Sequence, residues 1–443
     1  MKAANKGQKK SLVRWGLFCL AIVASSIIAF GAMSVNTQGS SFVEENGALT
    51  TVGNKVCNQR GNPVQLRGMS SHGICWFGDF VNASCIAWLR DDWKTNCFRI
   101  AMYTEATGGL GGYITNQSWN MAKVKEGIDA CIEAGVYAIV DWHILADGDP
   151  NKYREEAKDF FKQIATEYAE YPNVIYEICN EPNGDNVTWG TITAYANEVI
   201  PVIRAADPDS FILVGTPTWS QDVDIAANDP LSFDNVAYVC HFYAGTHGQA
   251  NRDKVSACLE KGCPVFVSEW GTSDASGSGM VYTTESDTWL SFLDSNKISH
   301  VNWSLSDKDE SSAALKPGAS ANGGWSDSDL STSGTYVRNK LISYCTAEKI
   351  KLSPAKLLRL KKYTSSKVTV MVMGDGGCLV AGEVVNARVD TGNRLISITP
   401  ESQETDEHGQ AVFTVTAGRK TGNAKINFES GGKSKSMVVR VVK

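Results

Sequence analysis

Between Pro63 and Ser306 one pattern recurs eight times: a short apolar run rich in β-branched residues, then a longer amphipathic stretch. The runs are Val64 to Ser70, Cys97 to Tyr103, Val136 to Trp142, Val174 to Asn180, Phe211 to Gly215, Val236 to Phe242, Val265 to Glu269 and Val301 to Leu305. Apolar runs alternating with helical segments read as βα units, whose crossovers make the sheet parallel. Two of the intervening stretches, Met121 to Ala134 and Tyr153 to Tyr171, predict helices, and Pro172 stops the second. Eight parallel strands over roughly 250 residues match the count and size of a (β/α)8 TIM barrel. A doubly wound open sheet is the competing α/β architecture, but no G-x-G-x-x-G follows the first strand to favour it.

The barrel is assigned residues 45–346, and the rest of the chain beyond it differs in kind. Residues 347–443 hold 16 Lys+Arg against 9 Asp+Glu, whereas residues 1–346 hold 26 against 39. The Lys-rich stretch 347–364, with Pro354, reads as a linker with a short helix around Ala355 to Lys361. From 365 to 443 the alternating runs Val368 to Met373, Val384 to Val389, Leu395 to Thr399, Ala411 to Thr416, Ala424 to Phe428 and Met437 to Val442 predict a small all-β sandwich. After Tyr363 there is no Trp or Tyr, and Phe413 and Phe428 sit on predicted strands, where core packing is their expected use. A sugar-binding face built on exposed rings is therefore not expected. The domain reads as a spacer, or as a module that contacts the cell surface or polysaccharide.

Residues 1–44 read as an export signal or signal anchor with a short linker, because Lys2, Lys6, Lys9, Lys10 and Arg14 precede an apolar stretch from Trp15 to Met33. Ala29-Phe30-Gly31 offers a small-x-small cleavage site; left uncleaved, residues 15–33 reach the lower length limit of a membrane tether. The expectation is a secreted protein, the alternative a membrane-anchored one with its folded part outside the cytoplasm. Either compartment favours disulfides among the 12 cysteines, with the pairing left open. No C-x-x-C pair occurs, so no metal cluster is expected. A net charge of −6 argues against a nucleic-acid partner, which would need a clustered basic face.

In a barrel, chemistry sits at the C-terminal ends of the strands. Here those ends carry His72, Tyr103, Asp141-Trp142-His143, Asn180-Glu181-Pro182, His241-Phe242-Tyr243 and Glu269-Trp270-Gly271, while the second strand contains Arg99 and the eighth Trp303. A single strand-end glutamate is most often a loop ion pair, and a single histidine a satisfied core residue. Two glutamates on one face, with histidines, an arginine and rings around them, instead form a carboxylate pair in a polar, ring-lined cleft. Glycosidic hydrolysis needs such a pair, one acid to protonate the leaving oxygen and one carboxylate to attack or steer water, with different pKa values. Arg99 can keep one glutamate ionised, and Asn180 can bond a sugar 2-hydroxyl.

The segments Leu66-Arg-Gly-Met-Ser-Ser-His-Gly73, Ile139-Val-Asp-Trp-His-Ile-Leu145, Val174-Ile-Tyr-Glu-Ile-Cys-Asn-Glu-Pro-Asn183, Cys240-His-Phe-Tyr-Ala-Gly-Thr-His-Gly248 and Val265-Phe-Val-Ser-Glu-Trp-Gly-Thr272 resemble glycoside hydrolase family 5, in its bacterial endoglucanase branch. The resemblance runs from about residue 45 to 345 and implies endo-acting, retaining hydrolysis of β-1,4-glucosidic bonds in cellulose or related β-glucans, without metal or cofactor. The family's usual active-site set falls on Arg99, His143, Asn180, Glu181, His241, Tyr243, Glu269 and Trp303. It implies Glu181 as acid/base, Glu269 as nucleophile, and Tyr243 and Arg99 as hydrogen-bond donors to that nucleophile. His72, Trp76 and Tyr103 match positions lining the glucose-binding cleft, and Lys308 and Glu310 match contacts on the non-reducing side. Cys75, Cys179 and Cys240 stand where other residues are expected, which bears on packing. Retention calls for carboxyl groups about 5–5.5 Å apart, inversion for more than about 6.5 Å. The stretch Asp406 to Gly418, with Gly422 to Lys425, resembles bacterial immunoglobulin-like domains of the invasin type.

Three rival readings compete with this one. A metal-dependent barrel hydrolase could use His72, His143, His241 and Asp141, but it lacks the His-x-His on the first strand and leaves both glutamates idle. A noncatalytic polysaccharide-binding surface protein would have no need of the complete set. An endo-β-mannanase or xyloglucanase shares the reacting-subsite motifs, and Lys308 and Glu310 tilt the reading toward a cellulose-type glucan.

Overall fold

The structure is a computed structural model that describes residues 41–374 and 377–443. The export segment and its apolar stretch 15–33 lie outside the described residues. Among the described residues no helix is long and apolar enough to cross a membrane.

The described chain begins with a capped helical turn, Phe42–Asn46, and a hairpin of strands β1 (Thr50–Val52) and β2 (Lys55–Cys57). Then come the parallel strands β3 (Arg67–Ser71), β4 (Cys97–Tyr103), β5 (Tyr137–His143), β6 (Val174–Glu177), β7 (Phe211–Val214), β8 (Val236–Tyr243), β9 (Val265–Gly271) and β10 (His300–Leu305). They close into a barrel in the order β10-β3-β4-β5-β6-β7-β8-β9. These are the eight runs read from the sequence, with ends shifted by a few residues. Because helices cover the outside and side chains fill the lumen, every strand is almost wholly buried, which is why the runs read as continuously apolar. Helices Gln117–Ala134 and Arg154–Tyr168 belong to that outer layer, the second burying Phe160, Phe161 and Ile164.

The lumen is stratified. Its floor is apolar: Tyr137, Ile139, Ile175, Leu213, Val239 and Phe266 pack there, closed from below by Phe42, Val43 and Val56 of the N-terminal turn and hairpin. Above the floor the inward positions become polar, and above those a ring layer of Tyr103, Tyr243 and Trp303 forms the cleft wall. On β9 an extra residue breaks strict alternation: Val239 pairs with Phe266 but His241 pairs with Glu269, a two-against-three register that marks a bulge. Such a bulge re-aims side chains. Here Ser268 and Glu269 both make their hydrogen bonds with groups of the barrel interior, although they are sequence neighbours.

After the barrel, the Lys-rich stretch expected to be a linker with a short helix is instead sheet. Strands β11 (Lys349–Ser353) and β12 (Leu357–Lys361) occupy it, and they bury Ile350, Leu352, Leu358 and Leu360 by strict alternation. The lysines are the solvent-facing half of that alternation, and they masked the period of two in a reading by composition. Strands β13 (Ser365–Met373), β14 (Val384–Thr391), β15 (Ile396–Thr399), β16 (Ser402–Glu404), β17 (Gln410–Ala417), β18 (Gly422–Ser430) and β19 (Lys433–Val442) complete two sheets, β11-β13-β17-β15 and β12-β19-β18-β14-β16. Phe413 and Phe428 are fully buried between them. A disulfide, Cys345–Cys378, ties the end of the barrel segment to the loop after β13, and the other cysteines of the barrel segment are buried thiols.

Candidate active site

The polar layer of the lumen is organised by Arg99 on β4, which has no solvent exposure. Its Nε–H donates to Glu177 Oε2 (2.6 Å), its Nη1–H to Glu269 Oε2 (2.9 Å), and its Nη2–H to Asn180 Oδ1 (2.6 Å), with Asp141 Oδ2 3.0 Å from Nη2. A guanidinium is the side chain suited to this task, because its rigid fork stays charged and presents several donors at fixed angles. Glu177 also accepts Ser268 Oγ–H (2.5 Å). Burial alone would raise the Glu177 carboxyl, but Arg99 and His241 together hold it down at about 2.

Glu181 and Glu269 sit in opposite environments. Glu269 takes Tyr243 Oη–H on Oε1 (2.7 Å) and Arg99 on Oε2. Burial opposes its ionisation, but the cations His241 and Arg99 and the Tyr243 hydroxyl outweigh it and keep the carboxylate below its ordinary range. Glu181, just beyond β6, has one direct partner in this layer, His241 Nδ1 at 3.0 Å. Burial pushes its carboxyl up, and the Glu269 charge adds to that rise. An oxygen of each glutamate and a nitrogen of His241 lie within 4.8 Å of one another.

His143 and Asn180 support this layer. His143 Nδ1 faces Asp141 Oδ2 (2.6 Å) and Nε2 faces Asn180 Nδ2 (3.2 Å), and Asn180 Nδ2–H donates to the Ile144 carbonyl (2.9 Å). Burial pushes His143 down to about 3, so it is neutral. Over these groups lies a cleft of about 380 Å³, lined by His72, Tyr103, Tyr243, Trp303, Lys308 and Glu310 with both glutamates at its base. Tyr103 stacks on His143 with ring centroids 4.0 Å apart. His72 Nδ1 accepts the Gly73 N–H (2.7 Å), which leaves Nε2 to face Lys308 Nζ (3.3 Å) and Glu310 (3.9 Å). Trp76 stands at the rim, 37% exposed, edge-on to Tyr103. Thus Arg99 and Asn180 lie beneath the cleft floor, Trp76 lies at its edge, and the other predicted residues line it.

Four residues of the site escaped the sequence reading. Glu177 and Ser268 lie within predicted strands rather than at their ends. Trp219, 45% exposed, and Gln221 line the cleft from the turn after β7. That turn is unusual: Thr218, Trp219 and Ser220 are consecutive non-glycine residues with φ between 56° and 58°, a conformation that costs free energy and concentrates at functional sites. It is stitched to the Glu181 loop by Trp219 N–H to Pro182 O (3.0 Å) and Ser220 Oγ–H to Asn180 O (2.6 Å).

The Glu181, His241 and Glu269 atoms are close enough together to share a cation. Yet the Glu269 oxygens already hold Tyr243 and Arg99, and a metal would face the guanidinium at close range. This donor set suits proton transfer better than metal binding.

Comparison with known proteins agrees with this geometry. Residues 57–309 match a family described as Cellulase (glycosyl hydrolase family 5). An endoglucanase of Clostridium saccharobutylicum is 46% identical over 361 residues, covering 81% of this chain and 80% of that protein. Endoglucanase N of Pectobacterium atrosepticum is 52% identical over 315 residues, covering 71% and 68%. Among solved structures, the catalytic domain of a Thermobifida fusca endoglucanase superposes with a TM-score of 0.65 at 40% identity, covering 68% of this chain and 99% of that one.

Proposed function

The chain belongs to glycosyl hydrolase family 5, and from that premise we propose that it cleaves internal β-1,4-glucosidic bonds of cellulose or related β-glucans with retention, Glu269 acting as nucleophile and Glu181 as acid/base. The observation that carries this reading is the pair itself: two carboxyl groups with oxygens within 4.8 Å, one held ionised and one pushed toward its neutral form. Oxygens that approach this closely suit the short carboxyl separation of retaining enzymes better than the gap of about 6.5–9.5 Å that lets water in between.

The reaction takes two displacements. Glu269 attacks the anomeric carbon while the Glu181 proton passes to the leaving oxygen, so a glycosyl ester forms and the glycosidic bond breaks. Water then attacks the same carbon and gives its proton to the Glu181 carboxylate, releasing Glu269. Arg99 and Tyr243 hold the attacking oxygens in place, while Tyr103, Trp303 and Trp76 offer faces for the sugar rings. Cellopentaose hydrolysis followed by proton NMR tests the stereochemistry: the β-anomer of the new reducing end is expected first, and an α-anomer burst would overturn retention. A product profile on cello-, manno- and xyloglucan oligosaccharides tests the polymer, with the cello series cleaved fastest; a preference for manno-oligosaccharides would displace the substrate assignment.

Trp219 is expected to stack on a sugar beyond the cleavage point. Trp219→Ala should raise KM for cellopentaose about tenfold, the equivalent of roughly 1.4 kcal/mol, and leave a short chromogenic substrate that ends before that position unaffected. Equal effects on both substrates would remove the assignment.

We also read the protein as exported. The Cys345–Cys378 disulfide, expected in an oxidising compartment, supports this together with the Lys-rich and apolar N-terminus. The sandwich, with its two phenylalanines buried, is read as a spacer or surface-contact module.

A further inference from the structure

Glu177 takes no part in the two displacements, yet it is a fully buried carboxylate at the centre of the barrel. A buried charge is costly unless it is paired and hydrogen-bonded. Besides its bonds from Arg99, Glu177 Oε1 accepts the Ser268 hydroxyl (2.5 Å). A serine hydroxyl has one proton, and this one is committed to Glu177. The Ser268 oxygen can therefore only accept from His241 Nε2, 3.0 Å away, which fixes that nitrogen as a donor. Across the ring, Nδ1 lies 3.0 Å from Glu181 Oε1. Glu177 Oε1 is itself 3.8 Å from Nε2, near enough for its charge to act directly.

We propose that Glu177 is a positioning residue which, through Ser268, holds His241 as an imidazolium whose Nδ1–H donates to Glu181. The proposal rests on the reading of Glu181 as acid/base and deepens it. A neutral His241 with its proton on Nε2 would present a lone pair at Nδ1, and that lone pair would take the proton the leaving oxygen needs. An imidazolium cannot accept it. In the first displacement the Glu181 proton goes to the leaving oxygen and His241 keeps both of its own. In the second the water proton goes to Glu181, and the Nδ1–H stabilises the carboxylate until it arrives.

The charge balance of the buried layer agrees. The groups acting on His241 are Glu177 and Glu181 from β6 and the residues after it, Glu269 from β9, Arg99 from β4, Asp141 and His143 from β5, and His247 after β8. Burial pushes Asp141 and Glu181 toward neutrality and keeps His143 and His247 uncharged. Glu177 and Glu269 are the carboxyls held down, and they face the cations Arg99 and His241. Removing the Glu177 charge takes away one of those counter-anions, and of the two cations only His241 can shed its proton.

The test is a ¹⁵N-imidazole titration of the full chain, with the His241 signals identified from the His241→Asn spectrum, beside cellopentaose kinetics. Both His241 nitrogens are expected to stay protonated up to about pH 9 in the wild type. In Glu177→Gln the transition should fall by about 2 units, and kcat should drop about 10²-fold with KM changed less than about threefold. Ser268→Ala, which removes no charge, should move the same transition by about one unit, and Ser268→Thr should restore it. A transition unmoved in folded Glu177→Gln overturns the proposal whatever the activity; should that variant not fold, an unmoved transition in Ser268→Ala does the same. The titration needs no hydrolysis, so wild-type inactivity on every glucan would strike the functional reading alone.

Discussion

Glu269→Gln is expected to lower kcat on carboxymethylcellulose by on the order of 10⁴-fold or more while leaving the fold intact. The amide is nearly isosteric: its oxygen can still accept from Arg99, and the Tyr243 hydroxyl can rotate to accept from the new NH2 group. What disappears is the anion proposed to attack the anomeric carbon. Glu181→Gln should be comparably inactive on the polymer but differ in one diagnostic respect. A leaving group already stable as an anion, such as dinitrophenolate, needs no proton, so dinitrophenyl cellobioside should still glycosylate Glu269 and the intermediate should accumulate. Azide, a nucleophile that needs no general base, should then restore turnover and yield a β-glycosyl azide. Polymer hydrolysis by Glu181→Gln within about tenfold of wild type would sink the acid/base assignment. So would an equal loss on the dinitrophenyl substrate, because protonation would then not be what the mutation removed.

The two glutamates were legible because each stands where an apolar strand ends, and a barrel brings all such ends to one face. Arg99 was legible for a related reason: it is the one charge in its run, and a strand buried on both sides has no use for an unpaired cation. The same logic applies to Glu177, which lies on the Ile175 side of its strand by alternation and is therefore lumen-facing. It stayed hidden because attention to strand ends passes over a charge in mid-run. Ser268 was hidden by the bulge: simple alternation puts Ser268 and Glu269 on opposite faces, and only the extra residue on β9 lets both reach the interior. Trp219 depends on a left-handed turn without glycine, and such a turn leaves no compositional mark. In the C-terminal part, lysines on the outer face of β11 and β12 hid an alternation as regular as any in the sandwich.

Arg99→Met is expected to destabilise the fold by about 3–5 kcal/mol at pH 7, the cost of leaving buried carboxylates without their cation. A simple cavity or packing defect of similar size would be independent of pH, so the pH dependence is the informative quantity. In the wild type the Glu177 carboxyl is held at about 2, below its unfolded value of about 4.3. Its contribution is therefore fully present above about pH 4.3 and is lost as pH falls through 2. His241 runs the other way: raised to about 9, it contributes fully below its unfolded value of about 6.5, and that contribution is lost as pH rises through 9. Without Arg99, the burial that raises Glu177 and Glu269 is opposed mainly by His241, and their folded pKa values rise. The folded variant then binds more protons than the unfolded chain, so its stability should increase as pH falls from 7 to 5, and more steeply than that of the wild type, where His241, Asp141 and Glu181 are the groups raised. Urea unfolding at the two pH values should show the gap between variant and wild type narrowing on acidification. Arg99→Lys should not recover the loss, since a single ammonium cannot bridge Glu177, Glu269 and Asn180 at once. A gap that is constant or widens toward pH 5 would mean that Arg99 supports the barrel through packing rather than as the counter-ion of the carboxylates around it.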